Sequence, residues 1–104
     1  MYRLMVLYPP PHDPAAFRAY YEATHLKLVA EMPGLRASSH GFALEGIGDP
    51  SPYFCVWQGD FDDLAAMRAA MGSAQGKLVA ADVANYATGG CILVHYAVQG
   101  AAGG

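Results

Sequence analysis

The chain has 104 residues, of which 54% are hydrophobic and 14% are charged, and its formal net charge is −3. This length suits a single domain, and the acidic balance argues against a basic surface for nucleic acid or for an anionic membrane. Because no apolar stretch is long enough to cross a bilayer and the N-terminus does not resemble a signal peptide, we expect a cytoplasmic protein.

The first third of the chain predicts a strand and then a helix. Residues 2–8 are apolar on both faces, which is typical of a central strand, and the prolines at 9–11 end it. Asp13 is a suitable N-cap for the helix, and Pro14 fits its first turn. A helical wheel places His25 on the flank of one apolar face, whose members are Phe17, Tyr21, Thr24, Leu28 and Met32.

The rest of the chain predicts two strands, a second helical region and a last strand. Residues 35–44 form the second strand, with Gly41 as a candidate bulge, and residues 53–57 form the third. Asp60 is placed to cap the next helix, and Ser73 caps a further helical segment; the buried stripe comprises Leu64, Met67 and Met71. After a final strand at 91–98, residues 100–104 should be a disordered tail, so that residues 1–99 make one domain.

The order β-α-β-β-α-β is typical of a ferredoxin-like α+β sandwich, in which helices cover one face of a four-stranded antiparallel sheet in the strand order 4-1-3-2. Cys55 and Cys91 then lie two strands apart, about 9–10 Å at ~4.8 Å per strand, so both thiols should be free. The other sheet face is also hydrophobic. A second copy of the chain, sheet against sheet, is the economical cover for it.

Two stretches of the sequence resemble a known family. The first holds Tyr8 with its prolines, Phe17, Tyr20–Tyr21, His25 and the turn Met32-Pro33-Gly34-Leu35, and the second runs from residue 61 to 90 and includes Asp82-Val83-Ala84-Asn85-Tyr86. Both resemble the EthD family, over residues 2–98. The resemblance implies a dimeric α/β barrel and a pocket between sheet and helices. In a methylmuconolactone isomerase of this group, the helix histidine before the Met-Pro-Gly-Leu turn belongs to the active site, and His25 occupies that place.

His25 and Tyr21 are the candidate catalytic residues. An imidazole with an unperturbed pKa of about 6.5 exchanges protons at neutral pH, and a tyrosine hydroxyl can orient a ligand. The alternatives are a histidine satisfied by Thr24 or a backbone carbonyl, and a tyrosine that only fills the core. For Asp82, a hydrogen bond that orients His25 is the alternative to a solvated carboxylate, which is the simpler interpretation. The candidate substrate-binding residues are Tyr8, Phe17, Tyr53, Trp57 and Asp82, with core packing as the default role of the aromatic ones.

The sequence indicates neither a metal nor a cofactor. His12, His40 and His95 have no metal-site spacing, and neither a phosphate-binding glycine motif nor a Gly-x-Ser-x-Gly elbow is present. The leading hypothesis is a cofactor-independent enzyme, an isomerase, cyclase or lyase, that moves protons on an aromatic, lactone or polyketide-like substrate. The alternatives are a non-catalytic binding or accessory dimer and a cofactor-free quinol monooxygenase.

Overall fold

The structure, a computed structural model, describes residues 1–100 and contains one antiparallel sheet. Its strands are β1 (Tyr2–Tyr8), β2 (Ala37–Phe42), β3 (Cys55–Phe61) and β4 (Ile92–Ala97). They lie in the order β2-β3-β1-β4, and Val6 of β1 is opposite Trp57 on one side and Leu93 on the other. The predicted ferredoxin-like order is confirmed. The tail predicted to be disordered falls, from residue 101 onward, outside the described residues.

Two helical segments cover one face of the sheet. In the first, α1 (Pro14–Tyr20), a π-helical turn (Tyr21–His25) and α2 (Leu26–Ala30) follow one another without a break. The second consists of α3 (Leu64–Gly72) and α4 (Ala74–Asp82), with a 3-10 turn (Val83–Asn85) at its end. The carboxylate of Asp13 and the hydroxyl of Ser73 cap helices as predicted. Within residues 1–100, no helix combines the length and apolar character needed to cross a membrane.

Several details differ from the sequence-based expectation. Gly41 pairs with Val56 in an uninterrupted register, so the predicted bulge is wrong. The third strand extends to Phe61, which makes Asp60 a strand residue bound to Arg3, and the helix cap is Asp63 instead. The ladder continues because β1 is equally long and offers a partner to every residue of β3.

The side chains packed between the sheet and the helices form two adjoining core clusters. One is aliphatic around Trp57 and comprises Leu4, Val29, Met32, Trp57, Phe61, Met67 and Ala70. The other is aromatic and comprises Tyr8, Phe17, Tyr21, Cys55 and Tyr86. Cys55 and Cys91 are both free, as the sheet order predicted. The aromatic cluster places three hydroxyl groups inside the domain, which is the first sign of a polar site there.

The opposite face of the sheet is left open by the helices. Exposed apolar side chains of β4 lie on it, at 43% for Ile92, 43% for Val94 and 42% for Tyr96. In the ladder, Ile92 is opposite Leu7 and Val94 is opposite Met5, so the apolar surface continues onto β1. The expected uncovered hydrophobic face is therefore present.

Gly59 offers a direct test of the core packing. A Cβ at this position would collide with the indole ring of Trp57 and approach Cδ1 of Leu35 to 2.9 Å. We therefore expect Gly59→Ala to lower the free energy of unfolding by about 1–3 kcal/mol, measured by urea denaturation. The matched control is Gly72→Ala, whose Cβ would meet nothing within 4 Å. Equal stability of the two variants would contradict this account of the indole position.

Candidate active site

A cavity of about 220 Å³ lies between the sheet and the helices. Its walls are mainly apolar and are formed by Leu4, Val6, Val29, Met32, Trp57, Met71, Gly76, Val79, Ala80, Val83, Cys91 and Leu93. Tyr8, Tyr21 and His25 complete the lining. Met71, predicted to be buried, is 37% exposed, and Leu93 is 46% exposed. The cavity therefore opens to solvent near these two side chains.

The π-helical turn aims His25 into this cavity. The backbone N–H of Leu26 donates to the carbonyl of Tyr21, five residues back, so the turn holds one residue more than an α-helical turn. In a regular α-helix, side chains four residues apart point in directions that differ by about 40°, and the wider turn removes this difference. Residues 17, 21, 25 and 29 are consequently all buried, whereas Thr24 is exposed. The predicted flank position of His25 and the predicted burial of Thr24 are wrong.

His25 and Asp82 form a buried pair. Nδ1 of His25 lies 2.9 Å from Oδ2 of Asp82, and the two residues are 2% and 8% exposed. The solvated carboxylate favoured from sequence is therefore wrong, because the end of α4 packs Asp82 against the first helix. The hydroxyl of Tyr20 donates to Oδ1 of Asp82 at 2.6 Å, and the side-chain amide of Asn85 donates to the same oxygen at 3.0 Å.

These contacts set the protonation state of the pair. Burial raises the pKa of Asp82, but hydrogen bonds from Tyr20, Asn85 and His25 outweigh it, and the pKa is lower than usual. Burial lowers the pKa of His25 more than the hydrogen bond and charge of Asp82 raise it. At neutral pH the carboxylate is thus ionised and the imidazole is neutral. Since a carboxylate only accepts, Nδ1 carries the imidazole proton.

The other imidazole nitrogen, Nε2, is the free base of the site. Nδ1 is occupied by Asp82, which leaves Nε2 as the imidazole nitrogen that a bound molecule could use. His25 lines the cavity, so a ligand held there would lie against its imidazole. A neutral imidazole with its base directed into an apolar cavity can take a proton from a bound molecule.

The tyrosines around His25 are neutral and tightly packed. The ring of Tyr21 stacks on His25 with centroids 5.3 Å apart, and Tyr86 lies 4.6 Å from His25. The hydroxyl of Tyr21 lies beside the hydroxyl of Tyr8 and the thiol of Cys55, and burial raises the pKa of Tyr21. The hydroxyls of Tyr8 and Tyr86 bind each other at 2.7 Å, and burial raises the pKa of Tyr8 to about 12.

The structure separates the predicted site residues into three groups. Tyr8, Tyr21, His25 and Trp57 line the cavity. Asp82 lies behind His25 and does not line the cavity. Phe17 is fully buried in the aromatic cluster, stacked on Tyr21 outside the lining, and Tyr53 lies in the loop before β3, away from the lining.

Sequence reasoning missed three residues of the site, Tyr20, Asn85 and Tyr86. Tyr20 belongs to the first stretch that carries the family resemblance. Asn85 and Tyr86 belong to the run of residues that carried the family resemblance, which was the available signal.

Within residues 1–100, no group of three His, Cys, Asp or Glu side chains is arranged to hold a metal ion.

Comparison with known proteins relates both sequence and fold to one family. The EthD domain family matches residues 9–90. An uncharacterized 11.0 kDa protein from the thcB–thcC intergenic region of Rhodococcus erythropolis is 35% identical over 94 residues, which cover 90% of this chain and 91% of that protein. An EthD family protein from Bacillus halodurans superposes with a TM-score of 0.88 at 26% identity, covering 95% of this chain and 99% of that one.

More distant structures share the fold alone. A dimeric ferredoxin-like protein of unknown function from Thermobifida fusca has a TM-score of 0.70 at 19% identity, with 93% of this chain and 90% of that chain covered. SnoaB, a cofactor-independent oxygenase from Streptomyces nogalater, has a TM-score of 0.69 at 14% identity, with coverage of 99% and 97%. The fold therefore occurs in a dimer and in an enzyme that works without a cofactor.

Proposed function

The chain belongs to the EthD family, and from this membership and the geometry of its cavity we propose a cofactor-independent enzyme that moves a proton on a small hydrophobic molecule. The observation that supports this most is the neutral His25, which is held through Nδ1 by an ionised Asp82 and lines an apolar cavity with Nε2 left free. An isomerase, cyclase or lyase needs such a base and a site that excludes water.

The proposed reaction begins with proton transfer to Nε2. The base takes a proton from an acidic C–H or O–H of the substrate, and the electron pair stays on the substrate as an enolate or phenolate. The resulting imidazolium is stabilised by Asp82, 2.9 Å away. Return of the proton to another atom gives an isomer, and loss of a leaving group gives a lyase product. Tyr21 is the proposed donor to the oxygen on which charge develops.

A homodimer is part of the proposal. The open sheet face exposes Ile92, Val94 and Tyr96 beside Met5 and Leu7. Two such faces packed together form the dimeric α/β barrel, and the same fold is dimeric in the Thermobifida fusca protein. Each cavity would then lie on the helix side of its own sheet, in a cytoplasmic protein without a cofactor.

The proposed base can be tested with a model compound, without knowledge of the natural substrate. Nitrobenzisoxazole is an uncharged bicyclic molecule; a base removes its ring C–H, the N–O bond breaks, and the electron pair leaves on oxygen as a coloured cyanophenolate. We expect the protein to accelerate this cleavage at least about 100-fold over free imidazole at equal concentration. Because burial lowers the pKa of His25 and the neutral form is the base, kcat/KM should rise with pH around a midpoint lower than that of free imidazole.

The alternatives give different results in the same set of measurements. A rate no faster than that of free imidazole contradicts the proposed base and leaves a binding protein. The protein would be a monooxygenase, and not an isomerase, cyclase or lyase, if it consumed oxygen with hydroquinones and showed no proton-transfer activity when oxygen was removed.

A further inference from the structure

The cavity wall is free of permanent charge. None of its lining residues is Lys, Arg, Asp or Glu. The groups that can ionise there stay neutral near pH 7, because burial lowers the pKa of His25 and raises those of Tyr8, Tyr21 and Cys91. A charged ligand would leave its hydration shell without meeting an opposite charge on the wall.

An ionised group behind the wall, the carboxylate of Asp82, strengthens this selection. Asp82 lies directly behind His25, so its negative charge faces the cavity through the imidazole. Its oxygens are occupied by His25, Tyr20 and Asn85. The carboxylate therefore repels an anionic ligand and has no free oxygen with which to bind a cationic one.

The size and polarity of the cavity define the ligand further. The cavity volume of about 220 Å³ exceeds the ~150 Å³ of an engineered apolar cavity that binds benzene, and it suits a molecule of two fused rings. The lining residues with polar side-chain groups other than the indole and the thiol are few, namely His25, Tyr8 and Tyr21, and the ring of Tyr21 stacks on that of His25. The remaining wall, including Trp57 and Leu93, is apolar.

We propose that the cavity selects uncharged hydrophobic molecules of about two fused rings that carry one hydroxyl, enol or carbonyl group, and that it excludes carboxylates and phosphates. The inference rests on the proposed function, since it names the substrate class of the same site. The polar group binds at His25 and Tyr21, and the rings lie against the apolar wall.

Four naphthalene derivatives of similar shape test this selection by isothermal titration calorimetry at a pH of about 7.5, where naphthol is neutral and naphthoate is ionised. Naphthol and methyl naphthoate should bind. Naphthoate and naphthylmethylammonium should bind at least about 30-fold more weakly, because each loses hydration without a counter-charge. Quenching of the chain's one tryptophan, Trp57, by non-fluorescent nitro-substituted analogues reports whether the cavity itself is occupied.

A positive charge introduced at the cavity mouth should weaken the selection against anions. Leu93 lines the cavity and is 46% exposed, so a longer polar side chain can be placed there without filling the core. Leu93→Arg should bind naphthoate at least about 10-fold more tightly than Leu93→Gln does, because only the guanidinium pairs with a carboxylate. The glutamine variant controls for loss of the leucine side chain.

The outcomes separate this inference from the proposed function. Naphthoate binding as tight as that of methyl naphthoate in the unmodified protein, or no binding of either neutral compound, overturns the inference. A protein that cleaves nitrobenzisoxazole but accepts naphthoate keeps the proposed base and loses the charge selection. A protein that binds only the neutral compounds but cleaves nothing keeps the charge selection and loses the proposed base.

Discussion

Replacement of His25 by glutamine should lower kcat/KM for nitrobenzisoxazole cleavage at least about 100-fold. Glutamine retains an amide N–H that can donate to Asp82, but it has no nitrogen basic enough to accept a proton. The carboxylate also keeps its hydrogen bonds from Tyr20 and Asn85 in the variant, which limits the cost of removing one donor from a buried charge. The effect should therefore appear in the rate more than in the fold.

His12→Gln is the matched control for this experiment. His12 is exposed, and its backbone N–H, not its ring, binds the hydroxyl of Thr88. This variant should keep the full rate. A thermal melt of His25→Gln close to that of the unmodified protein would assign the loss to chemistry. If both histidine variants cleave the probe at the rate of the unmodified protein, His25 is not the base.

Asp82→Asn should lower the same rate by about 10²–10⁴-fold, since an amide can donate to Nδ1 and thereby stabilise the tautomer whose proton is on Nε2. The free lone pair would then no longer face the cavity. The charge of Asp82 also raises the pKa of His25, so its removal should move the midpoint of the pH–rate profile to lower pH. Both changes follow from the 2.9 Å contact between the two side chains.

Two further variants make the Asp82 result specific. Asp62→Asn removes an exposed carboxylate that pairs with Arg36 and should leave the rate and the pH midpoint unchanged. Tyr20→Phe removes one hydrogen-bond donor from the Asp82 carboxylate. The negative charge of the carboxylate then stabilises the imidazolium of His25 more strongly, which should raise the midpoint of the pH–rate profile. A midpoint that does not move in either Asp82→Asn or Tyr20→Phe would contradict the proposed coupling.

The order of strands and helices along the chain was predictable because it depends on local patterns. Residues 2–8 are apolar on both faces, and turns or helix caps interrupt the chain wherever an element ends. These signals follow from alternation and from the restricted backbone of proline and glycine, which act without the rest of the fold. The extent of β3 to Phe61 was not predictable, because Asp60 satisfies the requirements of a helix cap and of a strand residue equally well until Arg3 is placed beside it.

The site was predicted only in part. His25 was predictable because an imidazole exchanges protons at neutral pH and because the family resemblance gave it a role. Tyr8, Tyr21 and Trp57 lie where a ligand would be, whereas Phe17 and Tyr53 do not. Whether an aromatic side chain lines a cavity or fills a core depends on packing across several elements, and residue type carries no information about it.

The element order, the helix caps at Asp13 and Ser73 and the hydrophobic second face of the sheet can be read from the residues alone. Each of these follows from the backbone preferences or the spacing of nearby residues. The π-helical turn in the first helical segment and the contact between Asp82 and His25 depend instead on how the elements pack together. These residues are 57 positions apart, and the end of α4 has to pack against the first helix before a carboxylate there can fix the proton of an imidazole.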